Sequence, residues 1–164
     1  MKRILVPLDG STRSDAILAQ VRRLMGRRTE VKLLRVQPPG EAGYTPGGGA
    51  SRDALWHLAL LKEQLLERGV RASYALLVGD PAERILSFAE EYRPSLIAMT
   101  THGRTGLERW RRGSVAERVL RASRWPLLLW NPHHRMEKRG GPVLGRIDRI
   151  LVPIDASHPS TRIL

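Results

Sequence analysis

The sequence predicts an α/β fold, an open and doubly wound sheet of five parallel strands with helices on both faces. Three observations carry that expectation. Short apolar runs alternate with segments whose apolar residues recur at helical spacing. The first of these runs is apolar from Ile4 to Leu8 without alternating polar residues, as a strand buried on both faces requires. Capping residues stand where the helices should begin. A chain of 164 residues suffices for about one domain of the usual size, with a core to match.

"RILVPLD", residues 3–9, is a short apolar run closed by Pro and Asp, the pattern of a buried strand. Ser11 can cap a following helix, whose apolar residues Ile17, Leu18, Val21, Leu24 and Met25 keep the 3.6-residue period. "EVKLLRV", 30–36, gives a second buried strand, and "QPPGEAGYTPGGGA", 37–50, is a Pro- and Gly-rich loop without periodicity. Leu55, Leu58, Ala59, Leu65 and Leu66 define a second helix, with Lys62 the one polar residue on that face. "ASYALLV", 72–78, is the third strand. In "GDPAERILSFAEEY", 79–92, Asp80 takes the cap position and Pro81 the first helical position of a third helix. "SLIAMT", 95–100, is the fourth strand. After a loop, Ser114 and Glu117 have capping-box spacing at the start of a fourth helix, "SVAERVLRAS", and "PLLLW", 126–130, is the fifth strand.

The composition narrows the functional classes. Formal net charge is +12, and Arg supplies 24 of the 28 basic residues. That balance makes an anionic partner plausible, but the basic residues are spread along the chain and no aromatic-rich segment accompanies them, which disfavours nucleic acid. Cysteine is absent, so neither disulfides nor thiolate metal sites hold the fold, in agreement with a reducing compartment. Lys2 and Arg3 precede too short an apolar run for a signal peptide, and no stretch approaches a membrane span, so the expectation is a soluble, cytoplasmic protein without membrane contact. His133 and His134 read as linker residues and not as a metal site.

The chain also repeats itself. "RILVPLDGSTRSDAIL", 3–18, and "RILVPIDASHPSTRIL", 149–164, align without a gap, so that Asp9 matches Asp155 and Ser11 matches Ser157. The organisation expected is a domain over residues 1–131, a linker over 132–148, and the first strand and helix start of a second repeat over 149–164. The tail then belongs to a tandem arrangement, as a truncated product or a fragment of something longer.

An open doubly wound sheet binds ligands at the carboxyl ends of its strands, where strand order reverses. Three strand exits carry unusual chemistry: Asp9-Gly10-Ser11, Val36 to Pro39, and "MTTHGRTGLERWRRGS", 99–114. In the last, His102-Gly103 is followed after nine residues by Gly113-Ser114 at a helix start. A helix N-terminus offers unpaired N–H groups and partial positive charge, and a preceding Gly lets backbone approach a phosphate. The same Ser and Glu spacing also makes an ordinary helix cap, and Asp9 could equally cap its own turn. His102 has no carboxylate or nucleophile near it in sequence and reads as a turn histidine more readily than a base. The loop lacks both the Gly-Lys-Ser of a Walker-type site and the close Gly spacing of a dinucleotide fold.

At this point the residues resemble the universal stress proteins, through "ILVPLDGS", "GDPAERIL", "THGRTGLERW", "GSVAERVLR" and "PLLLW" in order over residues 1–131. Nucleotide-binding members carry Gly, two residues, Gly, nine residues, Gly and then Ser or Thr; that register falls here on Thr100, Gly103, Gly113 and Ser114. The first position departs from the pattern, with a branched Thr in place of Gly. The resemblance implies strand order 3-2-1-4-5, a homodimer through the fifth strand, and ATP, with or without Mg2+, at the switch point. It implies Asp9 and Val36 on the adenine side, with Pro7 and Leu8 leading into Asp9. It implies Met99 and Thr100 on the adenosine side, and Gly103, Gly113, Ser114 and Val115 at the phosphates.

Of the seven arginines at 104, 109, 111, 112, 118, 121 and 124, Arg104 beside Gly103 is the one placed to reach phosphate, while some of the others must lie on the solvated helix face. Trp110 reads as an anchor in the core or at a dimer contact, and Trp125 and Trp130 flank the fifth strand. No catalytic constellation is visible, so the expected activity is ATP binding by a stress-response regulator, with at most slow hydrolysis. The alternative is a protein-interaction module of the same fold, its site closed by Thr100, and an unknown protein partner fits either reading.

Overall fold

The computed structural model describes residues 2–26, 28–40, 51–101 and 115–131. The order is β1 (Lys2–Leu8), α1 (Thr12–Asp15), α2 (Ile17–Leu24), β2 (Thr29–Gln37), α3 (Arg52–Leu66), β3 (Arg71–Val78), α4 (Pro81–Tyr92), β4 (Leu96–Thr100), α5 (Val115–Ala122) and β5 (Leu127–Trp130). The linker over 132–148, the repeat over 149–164, Trp110, His102, Gly103, Arg104, Gly113 and Ser114 lie outside the described residues.

The five strands form one parallel sheet in the order β3-β2-β1-β4-β5. Strand alternation sorts the core into two layers. Ile4, Val6, Leu8, Val31 and Leu33 face α2 and α3, where Ile17, Leu18, Val21, Leu58, Leu61 and Leu65 close over them. Leu5, Leu34, Val36, Ile97 and Met99 face the other way, against Ala82, Ile85 and Ala89 of α4 and Ala116 and Val119 of α5. Leu5, Leu33, Leu34 and Ile97 have no exposed surface, and each such side chain contributes about 1.5–3 kcal/mol by leaving water.

Local signals explain the boundaries. Ser11 Oγ accepts from the Ser14 N–H at 3.1 Å, capping α1. Asp80 caps α4 by accepting from the Glu83 N–H at 3.0 Å, with Pro81 at the start of the helix. Arg93, with φ 50, ends α4 in the left-handed region.

Two expectations are corrected. The single helix expected after Ser11 is divided at Ala16 into α1 and α2. Ser14 turns its hydroxyl back onto the Ser11 carbonyl at 2.8 Å, and serine competing in this way for backbone partners weakens a helix interior. In α3 the inward stripe is Ala54, Leu58, Leu61 and Leu65, whereas Leu55 and Leu66 are 40% exposed. A helix with leucines nearly all round offers two stripes at 3.6-residue spacing, and packing against β2 and β3 selects the one rotated toward the sheet. Trp56 and Leu60 consequently face solvent.

Candidate functional site

Strand order reverses between β1 and β4, and the ladder there is the shortest in the sheet. β1 is in register with β2 over seven pairs, from Lys2 with Thr29 to Leu8 with Arg35. Its register with β4 covers two, Ile4 with Leu96 and Leu5 with Ile97. Pro7 falls beyond those pairs and has no N–H to donate to a ladder. No pair is in register between residues 6–8 of β1 and 98–100 of β4, and this stretch without a ladder, a seam, lies at the carboxyl end of the strands.

Val36, at the end of β2, and Met99, near the end of β4, are 9% and 6% exposed and belong to the layer facing α4 and α5; Val115, at the start of α5, packs against the same layer. Three residues distant in sequence thus share one side of the strand ends. Leu8 packs in the opposite layer. Pro7 is buried within β1, and Thr100 is 8% exposed, in register with Trp130 of β5.

Asp9 follows Leu8, the last residue of β1. Its Oδ1 accepts from both the N–H and the hydroxyl of Ser11, at 2.9 and 2.6 Å, while its own N–H donates to Ser14 Oγ at 3.3 Å. These contacts hold the carboxylate in one orientation at the carboxyl end of β1. Gly10 has φ 78, and a Cβ there would run into the Arg35 guanidinium, which lies beneath the turn. Arg35 is 9% exposed on β2, and Gln37, two residues on, is fully buried with Oε1 accepting from the Ser51 N–H at 2.9 Å at the start of α3. Farther out, His57 Nε2 and Asp15 Oδ2, 2.9 Å apart, tie α3 to α1.

The sequence reading did not find Arg35 as part of this region, and it took Gln37 with the strand exit and the loop that follows, whereas Gln37 is the buried last residue of β2. The available signal was a charge and an amide inside the apolar run "LLRVQ", where a buried strand ordinarily carries neither. Of the arginines near the fourth helix, Arg118 donates from Nη1 to Asp80 Oδ2 at 2.7 Å, Arg121 pairs with Glu117 at 2.9 Å, and Arg124 pairs with Glu90 and covers the Trp125 ring at 4.9 Å. The Arg118 guanidinium beside Asp80, with the Glu83 N–H bond to the same carboxylate, holds the Asp80 carboxyl below the usual aspartate range; in return the carboxylate raises Arg118. Among the described residues no group of three or more His, Asp or Glu side chains could hold a metal ion, and no helix is long and apolar enough to cross a membrane.

The comparisons with known proteins agree with the fold. A family model described as the universal stress protein family matches residues 1–130. Universal stress protein MJ0531 of Methanocaldococcus jannaschii is 34% identical over 141 residues, covering 78% of this chain and 81% of that protein. The solved structure of MJ0577, from the same organism, is similar with a TM-score of 0.65 at 26% identity, over 81% of this chain and 97% of its own. A universal stress protein solved in complex with cAMP has a TM-score of 0.63 at 17% identity, over 79% of this chain and 96% of its own. An Arabidopsis thaliana family protein solved with AMP bound has a TM-score of 0.58 at 19% identity, over 80% and 92%. At those two identities the likeness is one of fold.

Proposed function

This chain belongs to the universal stress protein family, and from that premise we propose that it binds an adenine nucleotide, ATP in particular, in the seam between β1 and β4. The observation that carries the reading is the switch point itself, where the β1–β4 ladder is shortest, Val36 and Met99 lie in one layer at the strand ends, and Asp9 follows β1. The residues present fit a purine: Val36 and Met99 supply apolar surface, and the oriented Asp9 carboxylate supplies an acceptor at the rim. Two proteins of this fold hold cAMP and AMP, which supports the same ligand class.

In this reading Asp9 and Val36, with Pro7 and Leu8 behind them, take the base. Met99 and Thr100 take the sugar side. Gly103, Arg104, Gly113, Ser114 and Val115 receive the phosphates, with Mg2+ entering alongside them. Binding signals the state of the nucleotide pool to a protein partner in the cytoplasm during stress, without substantial turnover. The first unit, residues 1–131, does this as a homodimer through β5, whose four residues at the sheet edge are each half-buried.

The test is to denature purified protein, identify any released nucleotide by chromatography, and titrate the stripped protein with ATP beside Gly113→Val. Micromolar-range binding that the variant loses supports the reading. No released nucleotide and no binding favour a nucleotide-independent interaction module. That second reading has one observation in its favour: Thr100 fills its position at the end of β4 with 8% of its surface exposed, where a bare Gly would leave room.

A further inference from the structure

On the α4–α5 side of the sheet one carboxylate holds two helices. Asp80 Oδ1 accepts from the Glu83 N–H at 3.0 Å, closing the first turn of α4, and Asp80 Oδ2 accepts from Arg118 Nη1 at 2.7 Å. Arg118 lies within the first turn of α5, and its Nη2 stands 3.8 Å from Glu83. The turn presenting Asp80 is itself fixed. Gly79 has φ 138, the Arg84 side chain lies beneath it, and Arg84 Nε donates to the Val78 carbonyl at 3.0 Å. The exit of β3, the start of α4 and the start of α5 are therefore linked through one aspartate.

Solvent reaches both partners, whose side chains are 37% and 42% exposed, and such pairs add little to folding stability. What this pair does well is direction. A short charge-assisted bond from a planar guanidinium fixes the distance between two helix starts, and a helix start serves an anion best when it is held in place beforehand. We propose that Asp80 and Arg118 are positioning residues for the phosphate end of the ligand, their ion pair setting the start of α5 against α4. The inference rests on the nucleotide reading above. Arg118 acts here through Asp80 and the helix, and does not itself bind phosphate.

The experiment compares the wild type with Asp80→Ser, Arg118→Gln, the double variant and Arg118→Lys. Serine keeps an oxygen to cap α4 while removing the carboxylate from Arg118. Dissociation constants for ATP and for adenosine are measured by calorimetry, with melting temperatures alongside. Each single variant is expected to lose about three- to tenfold in ATP affinity, and the double variant no more than the worse single, because both remove one interaction. Adenosine affinity and melting temperature stay near wild type. Arg118→Lys restores part of the ATP affinity, and it keeps the test decisive if the Gln variant fails to fold.

Unchanged ATP affinity overturns the proposal. So does a parallel loss for adenosine, which marks a general distortion, or a double variant whose losses multiply, which marks two independent roles. A wild type that binds neither ligand overturns the nucleotide reading, and this inference falls with it.

Discussion

Two turns in this protein are built from the same parts and stand in different places. After β1, Gly10 with φ 78 sits over the Arg35 guanidinium, and Ser11 caps α1 while Asp9 folds its carboxylate onto Ser11. After β3, Gly79 with φ 138 sits over the Arg84 side chain, and Asp80 caps α4. Each turn pairs a glycine in the left-handed half of backbone space with an arginine beneath it and an acid beside it. The difference lies in where the arginine comes from and where the acid ends. Arg35 belongs to the neighbouring central strand and is buried, whereas Arg84 belongs to the helix that the turn begins and is exposed. Asp9 folds onto its own turn at the switch point of the sheet, and Asp80 is drawn toward α5. Local turn chemistry is thus shared between a candidate ligand site and a structural joint, and position in the sheet separates them.

The comparison is broken most directly at the glycines. Gly10→Ala should cost about 2–4 kcal/mol, because it adds backbone strain and displaces a buried guanidinium. Gly79→Ala should cost about 1–2 kcal/mol, since the exposed Arg84 chain can swing aside and strain alone remains. Urea denaturation of both variants measures the gap; equal costs would mean that the two arginines support their turns alike.

The arginines come next. Arg35→Ala should destabilise by about 2–3 kcal/mol through lost packing and lost polar contacts, and Arg84→Ala by less than about 1 kcal/mol. Combining Arg35→Ala with Gly10→Ala should cost less than the sum, since the first substitution makes room for the second. Strict additivity in that cycle would show that the guanidinium does not constrain the turn.

The acids sharpen the contrast in ligand binding. Asp9→Ala should weaken adenosine and ATP together, by about tenfold if the carboxylate meets the base, while Asp80→Ser spares adenosine. Titrations with both ligands distinguish these outcomes.

The smallest effect concerns pH. Asp80 titrates below the ordinary aspartate value in the folded protein, so its contribution is complete above that value, near pH 4, and disappears as pH falls through the lowered one. Asp80→Asn should therefore lose this small contribution throughout the neutral region, where the curve keeps its slope, and flatten the stability curve below about pH 4, where the two proteins converge. Acid denaturation followed by circular dichroism reads this, and a change of slope near neutrality would assign the effect to another group.

Much of this was legible in the sequence because its signals are local. The apolar runs that became β1, β2 and β4 needed no knowledge of their neighbours, and the Ser11 and Asp80 caps announced themselves within four residues. The lost stripe of α3 was ambiguous because leucines at 55, 58, 60, 61, 65 and 66 satisfy more than one helical face, and the sheet decides between them. The contact of Arg35 with Gly10 and the bond from Asp80 to Arg118 join residues 25 and 38 positions apart. Such pairs exist only after the strands have been ordered, so spacing could not disclose them. Within the candidate site, Val36 and Met99 were identified by resemblance, and their shared side of the sheet emerges from strand alternation once the register is known.

The brief register between β1 and β4 has a consequence for how the domain opens. With two paired positions at that join, against seven and eight at the neighbouring ladders on the β2 side, we expect the sheet to open first between a β3-β2-β1 block and a β4-β5 block. Amides along the boundary should exchange with deuterium sooner than those inside either block. A ligand lodged between the blocks would act as a staple, and its binding free energy would appear as protection spread along both strands. Occupancy would then be written into the mechanical unity of the sheet, where a partner resting on either block could feel it.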